Sequence, residues 1–109
     1  MDQLEIAAEE IREKFDIQTA ARDKALTVSR SLIRHCALAI RAVHRDDLDE
    51  MQEHLLEAKT LANELKVDLA EHPDLYFTGY TQDALKEYVE AEVTCALIKN
   101  KPLVMPAEL

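Results

Sequence analysis

The sequence predicts an all-α protein, and three observations support that fold class. The 109 residues include a single glycine and three prolines, and 48% of them are hydrophobic. Apolar residues recur at steps of three and four, which is the spacing of a helix that buries one face. No stretch alternates apolar and polar residues in the manner of a strand, and no Asn-Gly or Asp-Gly turn occurs. We expect an antiparallel bundle of three long helices that forms one domain over residues 1–109.

The first helix is expected over about residues 3–44, because this stretch contains neither glycine nor proline. Its apolar residues form one stripe near the N-terminus and a second, wider stripe further along. We expect a break or a bend between the two stripes, near Asp16–Thr19. The first stripe contains Leu4, Ala8, Ile11 and Phe15, and the second contains Leu26, Ile33, Ala37 and Ile40, with Val28, Leu32, Ala39 and Val43 beside it.

The second helix is expected over about residues 47–71. Asp47 is a suitable N-cap, and Glu50, three residues later, can complete a capping box. Pro73 disfavours helical geometry at His72 and therefore ends this helix. Between these signals lies a heptad pattern of apolar residues that comprises Leu48, Met51, Leu55, Ala58, Ala62, Leu65 and Leu69.

The third helix, expected over about residues 74–99, is the most apolar. Asp74 is its expected cap, and Gly79 predicts a kink near its start. Its apolar face comprises Leu85, Val89, Val93 and Ala96, widened by Ala84, Tyr88 and Cys95. We expect such a helix to be buried, although Asp83, Glu87, Glu90 and Thr94 lie on its other side.

Buried carboxylates without partners are costly, so Glu87 and Glu90 need a compensating charge. A divalent metal ion and an arginine are the two candidates. Two carboxylates on one helix face can hold Mg²⁺ or Mn²⁺ and leave water ligands for phosphodiester chemistry. The same Glu-x-x-Glu spacing occurs at Glu10/Glu13 and Glu50/Glu53, where amphipathic surroundings predict surface positions.

Charge is distributed unevenly along the chain, whose net charge is −9. Residues 17–45 carry six basic and one acidic side chain, whereas residues 1–16 carry two basic and six acidic ones. Arg30, Arg34, Arg41 and Arg45 lie within about 60° of one another on a helical wheel. They could follow a phosphate backbone, or they could form an ordinary solvated face or pair with the acidic second helix.

Several classes of protein are disfavoured by what the sequence lacks. The four histidines form no His-Glu-x-x-His or Glu-x-x-His pattern, which argues against zinc protease and ferritin-like sites. The N-terminus has no signal-peptide pattern, and no apolar run approaches transmembrane length. Cys36 and Cys95 lie in helical patterns that predict no disulfide framework. These features predict a soluble cytoplasmic protein that is not associated with membranes.

The segment Leu85-Lys-Glu-Tyr-Val-Glu-Ala91, preceded by Tyr76-Phe-Thr-Gly-Tyr80, resembles the central helix of the translin/TRAX (translin-associated factor X) family. The upstream segments Arg22-Asp-Lys-Ala-Leu-Thr-Val-Ser-Arg30 and Ala42-Val-His-Arg45 resemble that family's first long helix. The similarity covers most of residues 20–105. Its compact form is that of a prokaryotic, archaeal-type TRAX-like member.

This resemblance implies a translin-like helical fold that binds single-stranded RNA or DNA, with Mg²⁺-dependent endoribonuclease activity in the TRAX-type subunit. It implies that Glu87 and Glu90 are the catalytic metal ligands, with Asp83 only a neighbour. It also implies nucleic-acid contacts from Arg30, Arg34, Arg41 and Arg45, and assembly as a homo-oligomer (an octamer-like shell) or with a related subunit.

Family members continue for several more helices and supply a further catalytic aspartate, so we expect this chain to be the N-terminal portion of such a fold. The catalytic constellation is then incomplete within these residues. Two alternatives stay open from the residues themselves. One is a non-catalytic nucleic-acid-binding module, and the other is a purely structural oligomeric helical bundle.

Overall fold

The structure, a computed structural model, describes residues 2–99, and all regular structure within them is helical. Three long helices and one short helix follow one another along the chain. The prediction of an all-α helical bundle is confirmed for these residues. The helices are α1 (Gln3–His44), α2 (Leu48–Asp68), α3 (Pro73–Tyr76) and α4 (Gly79–Ile98).

Helix α1 runs without interruption over 42 residues, so no break occurs near Asp16–Thr19. The stretch lacks proline and glycine, the residues that most often break or kink a helix. The Asp2 carboxylate caps the helix by accepting a hydrogen bond from the Glu5 amide at 2.7 Å. At about 1.5 Å per residue the helix is about 63 Å long, close to the 67 Å longest dimension of the molecule.

The corner between α1 and α2 is built by two aspartates. Asp46 takes a positive φ of 62°, which turns the chain sharply. The Asp47 carboxylate then accepts a hydrogen bond from the Glu50 amide at 3.1 Å, as predicted for an N-cap. The Glu50 side chain does not complete the capping box, because it pairs with Arg45, while the Asp47 amide donates to the Ala42 carbonyl at 2.9 Å.

Helix α2 runs back along α1. His35 of α1 meets His54 of α2, and further towards the N-terminus Lys24 meets Asp68 at 2.8 Å. The predicted heptad residues of α2 are buried, with the exception of Leu48 at the helix start, which is 41% exposed.

The expected third helix is divided into α3 and α4 rather than kinked. The Leu75 carbonyl accepts hydrogen bonds from the hydroxyls of Thr78, at 2.7 Å, and Thr81, at 3.0 Å. These contacts end α3 and position the start of α4. Asp74 is not the cap that we expected, because His72 occupies that position and no side chain caps α3.

The buried face of α4 is shifted towards the flank of the predicted one, since Ala84, Tyr88 and Cys95 were expected only to widen that face. Its buried residues are Thr81, Ala84, Tyr88, Ala91 and Cys95, whereas Leu85, Val89, Val93 and Ala96 are only half-buried. Small residues on the buried face let α4 lie close to α1, on which it mainly packs. The larger aliphatic residues consequently lie beside this contact. Helix α4 ends at Ile98, with Lys99 as its C-cap, and the Asn100-Lys-Pro102 sequence that would stop a helix lies outside the described residues.

The first half of α1 projects beyond the rest of the molecule. Residues 3–20, here named the α1 overhang, are exposed apart from the half-buried Thr19, and the first buried residue of α1 is Ala25. The core therefore lies alongside the second half of α1 only.

Within residues 2–99 no helix is both long and apolar enough to cross a membrane.

Candidate functional site

The four arginines predicted to bind nucleic acid all lie exposed on the outer side of α1. The buried residues of the same half of this helix include Leu32, Ala39 and Val43. On a helical wheel they lie roughly opposite the arginines. Packing of α1 against α2 and α4 therefore directs the arginine face, defined as Arg30, Arg34, Arg41 and Arg45, away from the core.

The arginine face is almost free of carboxylate partners within residues 2–99. Arg45 pairs with Glu50 across the α1–α2 corner. The ion pairs among the described residues include no contact of Arg30, Arg34 or Arg41 with a carboxylate. The acidic second helix is instead tied to α1 by Lys24, which contacts Glu64 at 3.6 Å as well as Asp68. Arg30, Arg34 and Arg41 can thus bind an external anion without first breaking an internal ion pair, whereas Arg45 would first have to leave Glu50.

The candidate metal ligands Glu87 and Glu90 are exposed, as is Asp83. The premise that α4 buries these carboxylates is therefore wrong for this chain by itself. Glu90 lies 3.9 Å from Lys86, one turn earlier in the same helix. Neither glutamate pairs with an arginine of the arginine face, so these two sets of residues are not brought together.

Glu87 nevertheless lies close enough to α1 to influence Cys36. Burial is the main cause that raises the pKa of the Cys36 thiol to about 12, and the charges of Glu87 and Glu92 add to the rise. The α1–α4 contact at Cys36 thus has carboxylates along its border. Glu92 also accepts a hydrogen bond from the Tyr88 hydroxyl at 3.0 Å, and the pKa of Tyr88 is raised by burial first and by Glu92 second.

A metal ion at Glu87 and Glu90 would have two protein ligands from one helix face. In residues 2–99 no group of three or more histidine, cysteine or acidic side chains is arranged to hold a metal ion. Mg²⁺ is commonly held by one or two carboxylates together with water and substrate phosphates. The two glutamates fit that mode, in which the substrate or another segment completes the coordination.

A cluster that the sequence reasoning missed lies between α1 and α2. The Nδ1 atoms of His35 and His54 are 3.0 Å apart, and the Nε2 atom of His54 is 3.6 Å from Glu50. The sequence contains a signal for this pair, because His54 lies between the core heptad residues Met51 and Leu55. This position places His54 near the edge of the buried face of α2. Metal-binding spacings within one helix do not reveal a pair that forms between two helices.

The aromatic residues of the α3–α4 region are divided between core and surface. Tyr88 is 4% exposed and Phe77 is 72% exposed, and the rings of Tyr76 and Phe77 meet edge to face with centroids 5.0 Å apart. Two shallow grooves near this corner are lined in part by Lys66 and Tyr76, and neither includes Glu87 or Glu90.

An uncharacterized protein of Methanocaldococcus jannaschii is 37% identical to this chain over 73 residues. The match covers 66% of the chain and 32% of that relative, so the chain spans about a third of the relative's length. No protein-family profile matches the chain, and no solved structure matches it.

Proposed function

We propose that this chain is part of a single-stranded nucleic-acid-binding protein of the translin/TRAX type. In this proposal the α1–α2–α4 arrangement is the antiparallel three-helix, N-terminal portion of a translin-like fold, located in the cytoplasm. The observation that carries the proposal is the arginine face, which is exposed, directed away from the core and nearly free of internal carboxylate partners. Guanidinium groups repeated along one helix face suit successive phosphates of a flexible strand.

Binding of a labelled single-stranded RNA at several salt concentrations tests this proposal. Replacing Arg30, Arg34 and Arg41 with glutamine should weaken binding at low salt and reduce the salt slope by about 2, since each phosphate contact on a single strand contributes about 0.7. Arg22→Gln is the matched control, because Arg22 is an exposed arginine of α1 outside the arginine face. Equal affinity and slope in the triple variant and the wild type would refute the proposed binding face.

The catalytic part of the proposal is that the complete protein is a metal-dependent endoribonuclease. Glu87 and Glu90 would hold Mg²⁺ or Mn²⁺, and the ion would activate a water molecule and stabilise charge on the phosphoryl group. Two exposed carboxylates without a third protein ligand support metal capture only together with phosphate oxygens or another segment. The proposed assembly, a homo-oligomer such as an octamer-like shell or a complex with a related subunit, would supply such a segment.

Cleavage of the same RNA by the complete protein, with and without Mg²⁺, tests the catalytic part separately. Glu87→Gln combined with Glu90→Gln should abolish metal-dependent cleavage and leave RNA affinity in EDTA unchanged. Glu10→Gln combined with Glu13→Gln is the matched control, since this pair has the same spacing on the exposed α1 overhang. Retained RNA affinity without any metal-dependent turnover in the wild type would favour a non-catalytic binding module.

A further inference from the structure

The outer face of α1 carries opposite charges in its two halves. The first half presents acidic residues and the second half presents the arginine face, and both sets lie within about 60° of each other on a helical wheel. Arg12 is the one basic residue on the acidic half of this face, and it is neutralised by Glu9 at 2.8 Å. The acidic residues are Glu5, Glu9, Asp16 and Asp23, and all of them are exposed.

An apolar stripe runs along the same helix beside this charged face. In the overhang it includes Leu4, Ile11 and Phe15, which are 79%, 69% and 68% exposed. In the second half it continues through Leu26, Ile33, Ala37 and Ile40, of which Ile33 is 40% exposed. On a helical wheel the centre of this stripe lies roughly 95° from the centre of the charged face. On its other side the stripe borders the buried face of α1, and Ile40 packs against the core. A partner helix could therefore bury the stripe and meet the charges at its edge.

We propose that α1 pairs in antiparallel orientation with α1 of a second copy of this chain. In an antiparallel pair, the charged border of one helix meets the same border of its partner. Asp16 of one copy then lies opposite Arg30 of the other, and Glu5 lies opposite Arg41. A two-fold axis passes near Asp23, so each of these contacts is made twice in a self-complementary interface. The same register places the two Asp23 residues opposite each other and places Arg12, which is neutralised by Glu9, opposite Arg34.

Charge complementarity favours a second copy of this chain as the partner that covers the outer face of α1. Residues 1–16 carry six acidic and two basic side chains, and residues 17–45 carry one acidic and six basic, so only the antiparallel orientation places unlike halves together. A parallel pair would oppose like charges along the whole helix. An anionic membrane surface would repel the acidic overhang, although amphipathic helices often bind such surfaces through basic faces.

The overhang also needs a partner on grounds of helix stability. It contributes 18 residues of helix, all of which except the half-buried Thr19 are exposed. Isolated helices of about this length are marginal in water, because most helix stability in proteins comes from packing of an apolar face. Antiparallel pairing covers the overhang of each copy with the second half of α1 from the other.

This inference names an interface for the homo-oligomer in the proposed function, although its argument uses α1 alone, and it shares the arginine face with the proposed nucleic-acid binding. A single-stranded nucleic acid would compete with the carboxylates of the second copy for Arg30 and Arg41. Addition of an oligonucleotide should therefore shift the paired form towards the single copy.

Sedimentation velocity over a concentration series tests the pairing, using the full chain without nucleic acid. The wild type should associate reversibly, and rising salt should weaken the association. One charge-swapped variant carries Glu5→Arg with Asp16→Arg, and the other carries Arg30→Glu with Arg41→Glu. Each variant alone should dissociate on the order of a hundredfold more readily, because four attractive contacts per pair become repulsive.

Mixing the two variants provides the decisive arm of the experiment. The basic overhang of the first variant complements the acidic second half of the other, and the wild-type half of each is complementary as well. The mixture should therefore recover association close to that of the wild type, while circular dichroism verifies that each variant is folded. A wild type that stays a single copy at all concentrations, or association that neither variant changes, would overturn the proposal, as would a mixture that fails to associate.

Discussion

His35 and His54 bring their Nδ1 atoms to 3.0 Å across the contact between α1 and α2. Their ring centroids are 5.2 Å apart, with an angle of 37° between the ring planes. At this distance one Nδ1 must donate and the other must accept, so at least one ring is neutral. The contact thus depends on the protonation state of a pair that joins two helices.

Acidification should destabilise the fold through this pair. The pKa of His35 is lowered, first by burial and then by the charge of His54, with Arg34 adding to the decrease and Glu57 opposing it. When the pKa of a histidine is lower in the folded state than in the unfolded chain, the fold has its full stability at pH values above the ordinary histidine pKa of 6.5. That stability is lost as the pH falls below this value, because the unfolded chain binds the proton more readily.

Urea denaturation at pH 7.5 and pH 5 measures this loss. His35→Gln should reduce the difference between the two unfolding free energies relative to the wild type, because it removes the titrating group. The control is His44→Gln, since His44 is exposed near the end of α1, and it should retain the wild-type response. Identical pH responses of His35→Gln and the wild type would exclude the pair as a cause.

A buried hydroxyl offers a second prediction. Ser29 is 3% exposed, and its Oγ atom has no hydrogen-bond partner among residues 2–99. Burying an unpaired hydroxyl costs about 1–3 kcal/mol, so Ser29→Ala should raise the unfolding free energy, by about 1 kcal/mol. Thr81→Val is the informative contrast, because the equally buried Thr81 hydroxyl donates to Leu75 and its removal should lower stability. Denaturant titration of the two variants distinguishes these opposite signs.

Most of the helical framework could be predicted from the sequence because it depends on local signals. The Asp47 cap and the buried heptad of α2 are both encoded within a few residues, and the structure agrees with them. The orientation of α4 could not be predicted in this way. Ala84 and Ala91 are buried because small residues allow close approach to α1, whereas hydropathy alone favoured the larger Leu85 and Val89 as the centre of the buried face.

For the candidate site too, some features could be predicted from periodicity within one helix and others could not. Exposure of the arginine face follows from helical periodicity and was foreseeable. The environment of Glu87 and Glu90 depends on which helices cover α4, and periodicity within one helix does not contain that information. The functional roles of these six residues stay predictions, whose tests are the salt slope and the metal dependence described above.

The reactivity of the two cysteines reports on opening of the core. Cys36 and Cys95 are each 1% exposed, and burial, followed by nearby carboxylates including Glu92, raises the pKa of both thiols. With a pKa of about 12 for Cys36, the thiolate fraction at pH 8 is about 1 in 10,000, compared with about a quarter for a free cysteine. Both thiols should therefore resist alkylation in the native protein and react fully in denaturant.

An added exposed thiol provides the internal standard for this measurement. Thr60→Cys places a cysteine on the outer side of α2, where it should react with iodoacetamide about a thousandfold or more faster than Cys36. Mass spectrometry of tryptic peptides resolves the three sites. Labelling of Cys36 at the rate of the added cysteine would mean that α4 separates from α1 readily in solution. Slow labelling that accelerates with urea would instead show that the α1–α4 contact opens only when the fold does.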